Sequence, residues 1–139
     1  MPTNADLLTL HRYYIWANKF RTQFYQSLNS PIDPNEPPLL SFADTKGLYL
    51  SYWYAALYVV IEGWKVLGCA DVEVDALLIS PNVEHLRRYR NGVCHFQPKY
   101  LDDRFVEMMT ASDSVEWVRT LNSAFGRYFL TRPGKGTSP

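Results

Sequence analysis

The chain has few cysteines, few histidines, no surplus of charge of either sign and no long apolar run. Each shortage removes a class of protein. Its two cysteines, Cys69 and Cys94, make no disulfide framework, so free thiols in a reducing cytoplasm are expected. Fourteen basic residues balance fourteen acidic ones. Generalised nucleic-acid coating needs many phosphate contacts, so any nucleic-acid role must be local. The longest apolar run, Tyr52 to Ile61, is too short to span a bilayer, and no membrane partner is expected. The first residues, Met1 to Asp6, lack a basic segment leading into an apolar one, so no signal peptide is expected. The three histidines, His11, His85 and His95, include no His-x-x-x-His pair, which argues against a metal site. Neither a metal nor another cofactor is expected. No internal repeat is present.

What remains is a chain able to build a core. It has 139 residues, 47% apolar and 20% charged, the size and balance of one folded domain. Aromatics reach 15%, with ten Tyr and four Trp, and could serve a core, an interface or base stacking. The periodicity predicts an all-α, up-and-down bundle of four to five helices over residues 1–131, with a disordered tail at 132–139. Helix one should run from about Asn4 to Leu28, capped by Thr3 or Asn4, with Leu7, Leu10, Tyr14, Ala17, Phe24 and Leu28 as its stripe. Ser30 to Asp44 carries four prolines and reads as a stiff connector. Helix two, from about Asp44 to Leu67 with Gly68 as its stop, has two apolar stripes. One is Leu48, Tyr52, Ala55, Val59 and Val66, and the other is Leu50, Tyr54, Leu57, Ile61 and Trp64. A helix apolar on two sides is normally the buried centre of a bundle. Glu62 falls on the first stripe. It must find a basic partner or hydrogen-bond donor, or else reach solvent past Gly63.

Beyond Gly68, Asp71 to Ile79 reads as one or two helical turns at most, or as a strand for which nothing else in the chain offers a partner. Ser80 and Pro81 suit the start of helix three, whose apolar face would be Leu86, Tyr89, Val93 and Phe96. Asp102 to Met109 reads as a short helix. Asp113 and Glu116 form a capping pair for a last helix reaching about Leu130, with Val118, Leu121, Phe125 and Tyr128 inward. The tail's Gly-Lys-Gly-Thr lacks the spacing, the preceding strand and the following helix of a phosphate loop.

Chemistry concentrates in Arg87-Arg88-Tyr89-Arg90-Asn91-Gly92-Val93-Cys94-His95-Phe96. A guanidinium can grip a phosphate through two parallel hydrogen bonds. An imidazole can give or take a proton near neutrality. Together they suit a phosphodiester, although the same residues could form a solvated basic face. On a regular helix, Glu84, Arg87, Asn91 and His95 share one face. Arg90 and His95 diverge by roughly 140° there, so they cannot both address one substrate atom from an unbroken helix. Either Gly92 loosens the turn or a second copy of the helix supplies the other group. Cys94 beside His95 is not a nucleophile pair, because adjacent helical residues point apart.

At Arg90-Asn91-Gly92-Val93-Cys94-His95 the chain resembles the HEPN superfamily, the higher eukaryote and prokaryote nucleotide-binding domains. The family motif is an Arg, commonly followed by Asn or another polar residue, with His after four to six intervening residues. Here Arg90, Asn91 and His95 match, with four residues between Arg and His. The resemblance covers roughly Asn4 to Leu130. It implies a helical bundle paired as a two-fold homodimer with motifs facing at the interface. It also implies a metal-independent endoribonuclease of toxin–antitoxin, defence or RNA-processing systems, in some cases with a cognate antitoxin protein. Some members keep the fold without cleavage, so a module that binds nucleotide, RNA or protein is the alternative. By this resemblance Arg90 and His95, with Asn91, would be catalytic. Arg87 or Arg88 would hold flanking phosphates, and Glu62 could fix Arg90.

Overall fold

The computed structural model describes residues 1–31, 34–35 and 42–131. Most of the proline-rich connector, and the tail with its Gly-Lys-Gly-Thr, lie outside these. Six helices follow in order: α1 (Asn4–Ser27), α2 (Thr45–Leu67), α3 (Val72–Leu77), α4 (Asn82–Cys94), α5 (Asp103–Thr110) and α6 (Ser114–Thr131). Among the described residues there is no strand, as the all-α expectation requires. The count exceeds four to five because the short piece after Gly68 forms α3 as a full element.

Local signals place the helix ends. Thr3 caps α1, and its hydroxyl and the Asp6 carboxylate satisfy each other's backbone N–H groups. Asp44 caps α2 by accepting from Lys46 and Gly47 N–H. Gly68 ends α2 with φ 66°, a left-handed conformation that glycine adopts without a Cβ clash. Asp71 and Asp102 cap α3 and α5 in the same way as Asp44. Ser80 accepts from Asn82 N–H, as its position predicts, with α4 beginning one residue later than Pro81.

Helix α2 is the centre. It packs against α1 on one side and α4 on the other, and it has more buried residues than any other helix. Tyr54, Leu57, Ile61 and Trp64 of its second stripe are buried, together with Trp53 and Val60. From α6, Val118, Leu121 and Phe125 complete the core, and from α4, Leu86 and Tyr89. Full burial of each such side chain stabilises by about 1.5–3 kcal/mol. The first stripe behaves differently. Ala55 is buried, but Leu48, Tyr52 and Val66 are exposed, Val66 at 83%. Two apolar stripes do not require two buried faces, since Tyr52 stays exposed even with the Phe20 ring of α1 5.8 Å away.

Polar side chains bind the helices where the core closes. Asn122, buried on α6, accepts from Trp53 Nε1 at 3.4 Å and donates to Asn18 Oδ1 at 3.2 Å, joining α6, α2 and α1. Trp64 Nε1 donates to Asp75, and Trp117 Nε1 to the Leu77 carbonyl, so two indoles hold α3 in place. Asp113, expected as a cap partner of Glu116, accepts from Asn82 Nδ2 at 3.0 Å and ties the start of α6 to α4.

Candidate functional site

Helix α4 presents the motif because Leu86 and Tyr89 anchor it. Both are fully buried, and the Tyr89 hydroxyl hydrogen-bonds Ser51 of α2 at 3.0 Å. Burial pushes the Tyr89 phenol up to about 12, even though the Ser51 bond lowers it. Arg90, one residue on, is thereby turned toward the α2 surface.

Arg90 is held on three sides. Its Nη1 donates to Glu62 Oε1 at 3.3 Å, and its Nε donates to Asn91 Oδ1 at 3.0 Å. The guanidinium carbon sits 5.0 Å from the centroid of the Tyr58 ring. Tyr58 and Glu62 are four residues apart on α2, so they present one face to the arginine. A cation over a ring contributes about 0.5–2 kcal/mol depending on desolvation. The ion pair is partly exposed, 22% for the Arg90 side chain and 45% for Glu62, so screening keeps its worth under about 1 kcal/mol. Burial raises the Tyr58 pKa, with the Glu62 carboxylate adding to the rise and Arg90 opposing it. Glu62 therefore meets both expectations, since it has a basic partner and also reaches solvent. Its partner is the motif arginine.

His95 stands apart from this cluster. Helix α4 ends at Cys94, and His95 is its extended C-terminal cap, with φ −122° and ψ 132°. Its backbone N–H still bonds the Asn91 carbonyl at 3.0 Å, while Gln97 Nε2 donates to the His95 carbonyl at 3.2 Å. The residue is exposed. The 140° separation assumes a helix that runs through residue 95, and the helix ends one residue before it. Phe96, expected on the apolar face, follows it off the helix and is 92% exposed.

Gly92 does not loosen the helix. It is buried inside α4, and a Cβ there would lie 2.8 Å from Cε1 of Phe105. The glycine lets α5 approach, and Phe105 packs edge-on against Tyr89 at 5.2 Å between centroids.

Arg87 and Arg88 have partners of their own. Arg87 donates twice to Glu84 on the same helix. That bonding holds the exposed Glu84 carboxyl below its ordinary range. Arg88 donates to both oxygens of Glu107 on α5, at 2.7 and 3.3 Å. The structure therefore gathers Arg90, Asn91 and Glu62, sets His95 just beyond the helix end, and ties Arg87 and Arg88 to carboxylates. Tyr58 was missed by the sequence reading. Its spacing from Glu62 was the available signal.

Among the described residues, no three His, Cys, Asp or Glu side chains gather to hold a metal ion. No helix of these residues is long and apolar enough to cross a membrane. Compared with family models, with curated proteins and with solved structures, the chain gives no match.

Proposed function

We propose that the chain is a metal-independent endoribonuclease of the HEPN type, working as a two-fold homodimer. The observation that carries the reading is the fixed Arg90. A guanidinium held by Glu62, Asn91 and the Tyr58 ring, yet still 22% exposed, is preorganised to meet an anion. In this mechanism the ribose 2′-hydroxyl attacks its own phosphodiester. Arg90 stabilises the extra negative charge on the five-coordinate phosphorus. Asn91 orients the phosphate or the imidazole. His95 acts as general base or acid, and His95 of the second copy takes the complementary role. Glu62 is a positioning residue.

A dimer would bring a second His95 toward each Arg90 cluster. Val66 and Phe96 are exposed apolar side chains, one a helical turn beyond Glu62 and the other next to His95. They suit a contact between copies at the motif end of the bundle. A C2 contact sets the same elements opposite each other, so an exposed His95 can reach the partner's Arg90 cluster.

The experiment is cleavage of mixed-sequence RNA and matching DNA in excess chelator, beside sedimentation at micromolar concentration. The reading expects a dimer that cuts RNA to ends bearing a 2′,3′-cyclic phosphate or its opened product. It expects DNA, which lacks the attacking hydroxyl, to stay intact. A second reading, a non-catalytic module for RNA, nucleotide or a protein such as an antitoxin, is favoured by one observation. Arg87, Arg88 and Arg90 are all already paired with acids. A dimer that binds RNA without cutting it would select that reading. The cytoplasm remains the proposed setting.

A further inference from the structure

Away from the motif, the first two helices carry a different kind of surface. From Leu7 to Ile32, and again from Thr45 to Ile61, the sequence has no Asp or Glu. The acids of the first sixty residues, Asp6, Asp33, Glu36 and Asp44, all fall outside these runs. The cations within them are Arg12, Lys19, Arg21 and Lys46, and none makes an ion pair among the described residues. On α1, Arg12, Trp16, Lys19 and Gln23 recur at helical steps and share one face. Trp16 is 50% exposed, and the Arg12 guanidinium lies 5.0 Å from the centroids of both Trp16 and Tyr13. Beside them, Trp16, Lys19, Phe20, Gln23 and Tyr49 line an open groove of about 460 Å³ whose walls are almost wholly apolar.

We infer that this α1–α2 face binds an unpaired polynucleotide strand, with bases on the Trp16, Phe20 and Tyr49 rings and phosphates on Arg12 and Lys19. An apolar protein partner would use the rings but leave the cations without counterions. An acidic partner would use the cations but gain little from an exposed Trp16 ring and the half-buried Phe20 and Tyr49 rings. A single strand uses both, because every base has a π-face and every linkage a negative charge. The local excess of positive charge supplies the complementarity, with no carboxylate in either helical run to oppose it. The inference deepens the ribonuclease reading by giving the substrate a second foothold, and rests on it only for the choice of RNA over DNA.

The test separates the two. The wild-type protein is titrated at low salt with a single-stranded 12-mer of 2′-O-methyl RNA, which cannot attack its own phosphodiester, and with DNA of the same sequence. Both should bind and quench tryptophan fluorescence, and a duplex of the same length, with its base faces covered, should bind more weakly. Trp16→Ala should weaken strand binding about tenfold while leaving the circular dichroism unchanged. Lys19→Ala should reduce the slope of log K against log salt by about 0.7. The inference is overturned if neither strand binds, if both variants bind as wild type does, or if the duplex binds equally well. It is also overturned if Trp16→Glu converts a dimer to monomer with strand affinity unchanged, since the face would then join two copies. Cleavage that vanishes in His95→Ala, together with unaltered strand binding by both Trp16→Ala and Lys19→Ala, would keep the ribonuclease reading and remove this one.

Discussion

The arginines of α4 and the cations of α1 are the same kind of side chain in opposite circumstances. Arg87, Arg88 and Arg90 each have a carboxylate partner, Glu84, Glu107 and Glu62. Arg12 lies over aromatic rings, and Lys19 borders an apolar groove, with no ion pair for either among the described residues. A chain with equal numbers of acids and bases can therefore hold a neutralised basic helix at one place and, among the described residues, cations without carboxylate partners at another. Net charge says nothing about either. Pairing on α4 sets geometry, because a guanidinium held by a carboxylate points in one direction. Its absence on α1 leaves charge available to a mobile polyanion.

Breaking the α4 side at Arg90 should have the largest effect. Arg90→Ala should lower the cleavage rate at least about 100-fold, the cost of losing one preorganised donor to the developing charge. Arg88→Ala should change the rate little, because Arg88 is committed to holding α5 through Glu107. Equal losses in single-turnover assays would mean that α4 works as an undifferentiated basic patch. Next in size is Gly92→Val. The added side chain meets Phe105, so α5 must shift from α4, and unfolding by denaturant should show a loss of about 1–3 kcal/mol.

The anchoring of α4 can also be probed by pH. Tyr89 in the unfolded chain ionises near its ordinary value of 10, and in the folded protein only at about 12. Between these values the unfolded chain has released its proton and the folded protein has not. The contribution is thus complete below pH 10 and is lost as pH rises toward 12, by about 1.4 kcal/mol per pH unit. Denaturant midpoints across that range should fall, and should fall less steeply in Tyr89→Phe. Smallest of all is Glu107→Gln, which frees Arg88 and makes α4 more like α1. Stability should change little at this exposed pair. The salt slope of RNA binding should steepen by about 0.7, reporting one new phosphate contact.

Much of this architecture was legible before any coordinates. Caps at Thr3 and Gly68 are local chemistry, readable from a few neighbouring residues, and Asp44, read as the first residue of helix two, is its cap. The burial of Leu57, Ile61 and Trp64 follows from spacing alone. Periodicity identifies faces, however, and not which neighbour covers them, so the exposure of Leu48, Tyr52 and Val66 could not be read from α2 itself. The motif was legible as residue types, and the Arg90–Glu62 contact matched one of the two fates expected for that carboxylate. Its surroundings were not. Arg88 meets Glu107 nineteen positions away, and Gly92 owes its place to Phe105, both consequences of how α5 folds back. His95 leaves the helix at a boundary that a 100° projection carries straight through.

The proposed mechanism requires Arg90 and His95 to act in one reaction. The measurement that decides it is cleavage of end-labelled RNA in excess chelator by wild type, Arg90→Ala and His95→Ala, each matched for dichroism and sedimentation, with the new 3′ ends identified. The account predicts 2′,3′-cyclic phosphate ends from wild type and no cleavage above background from either variant while both stay folded and dimeric. Cleavage by His95→Ala at the wild-type rate would contradict it and place the activity elsewhere.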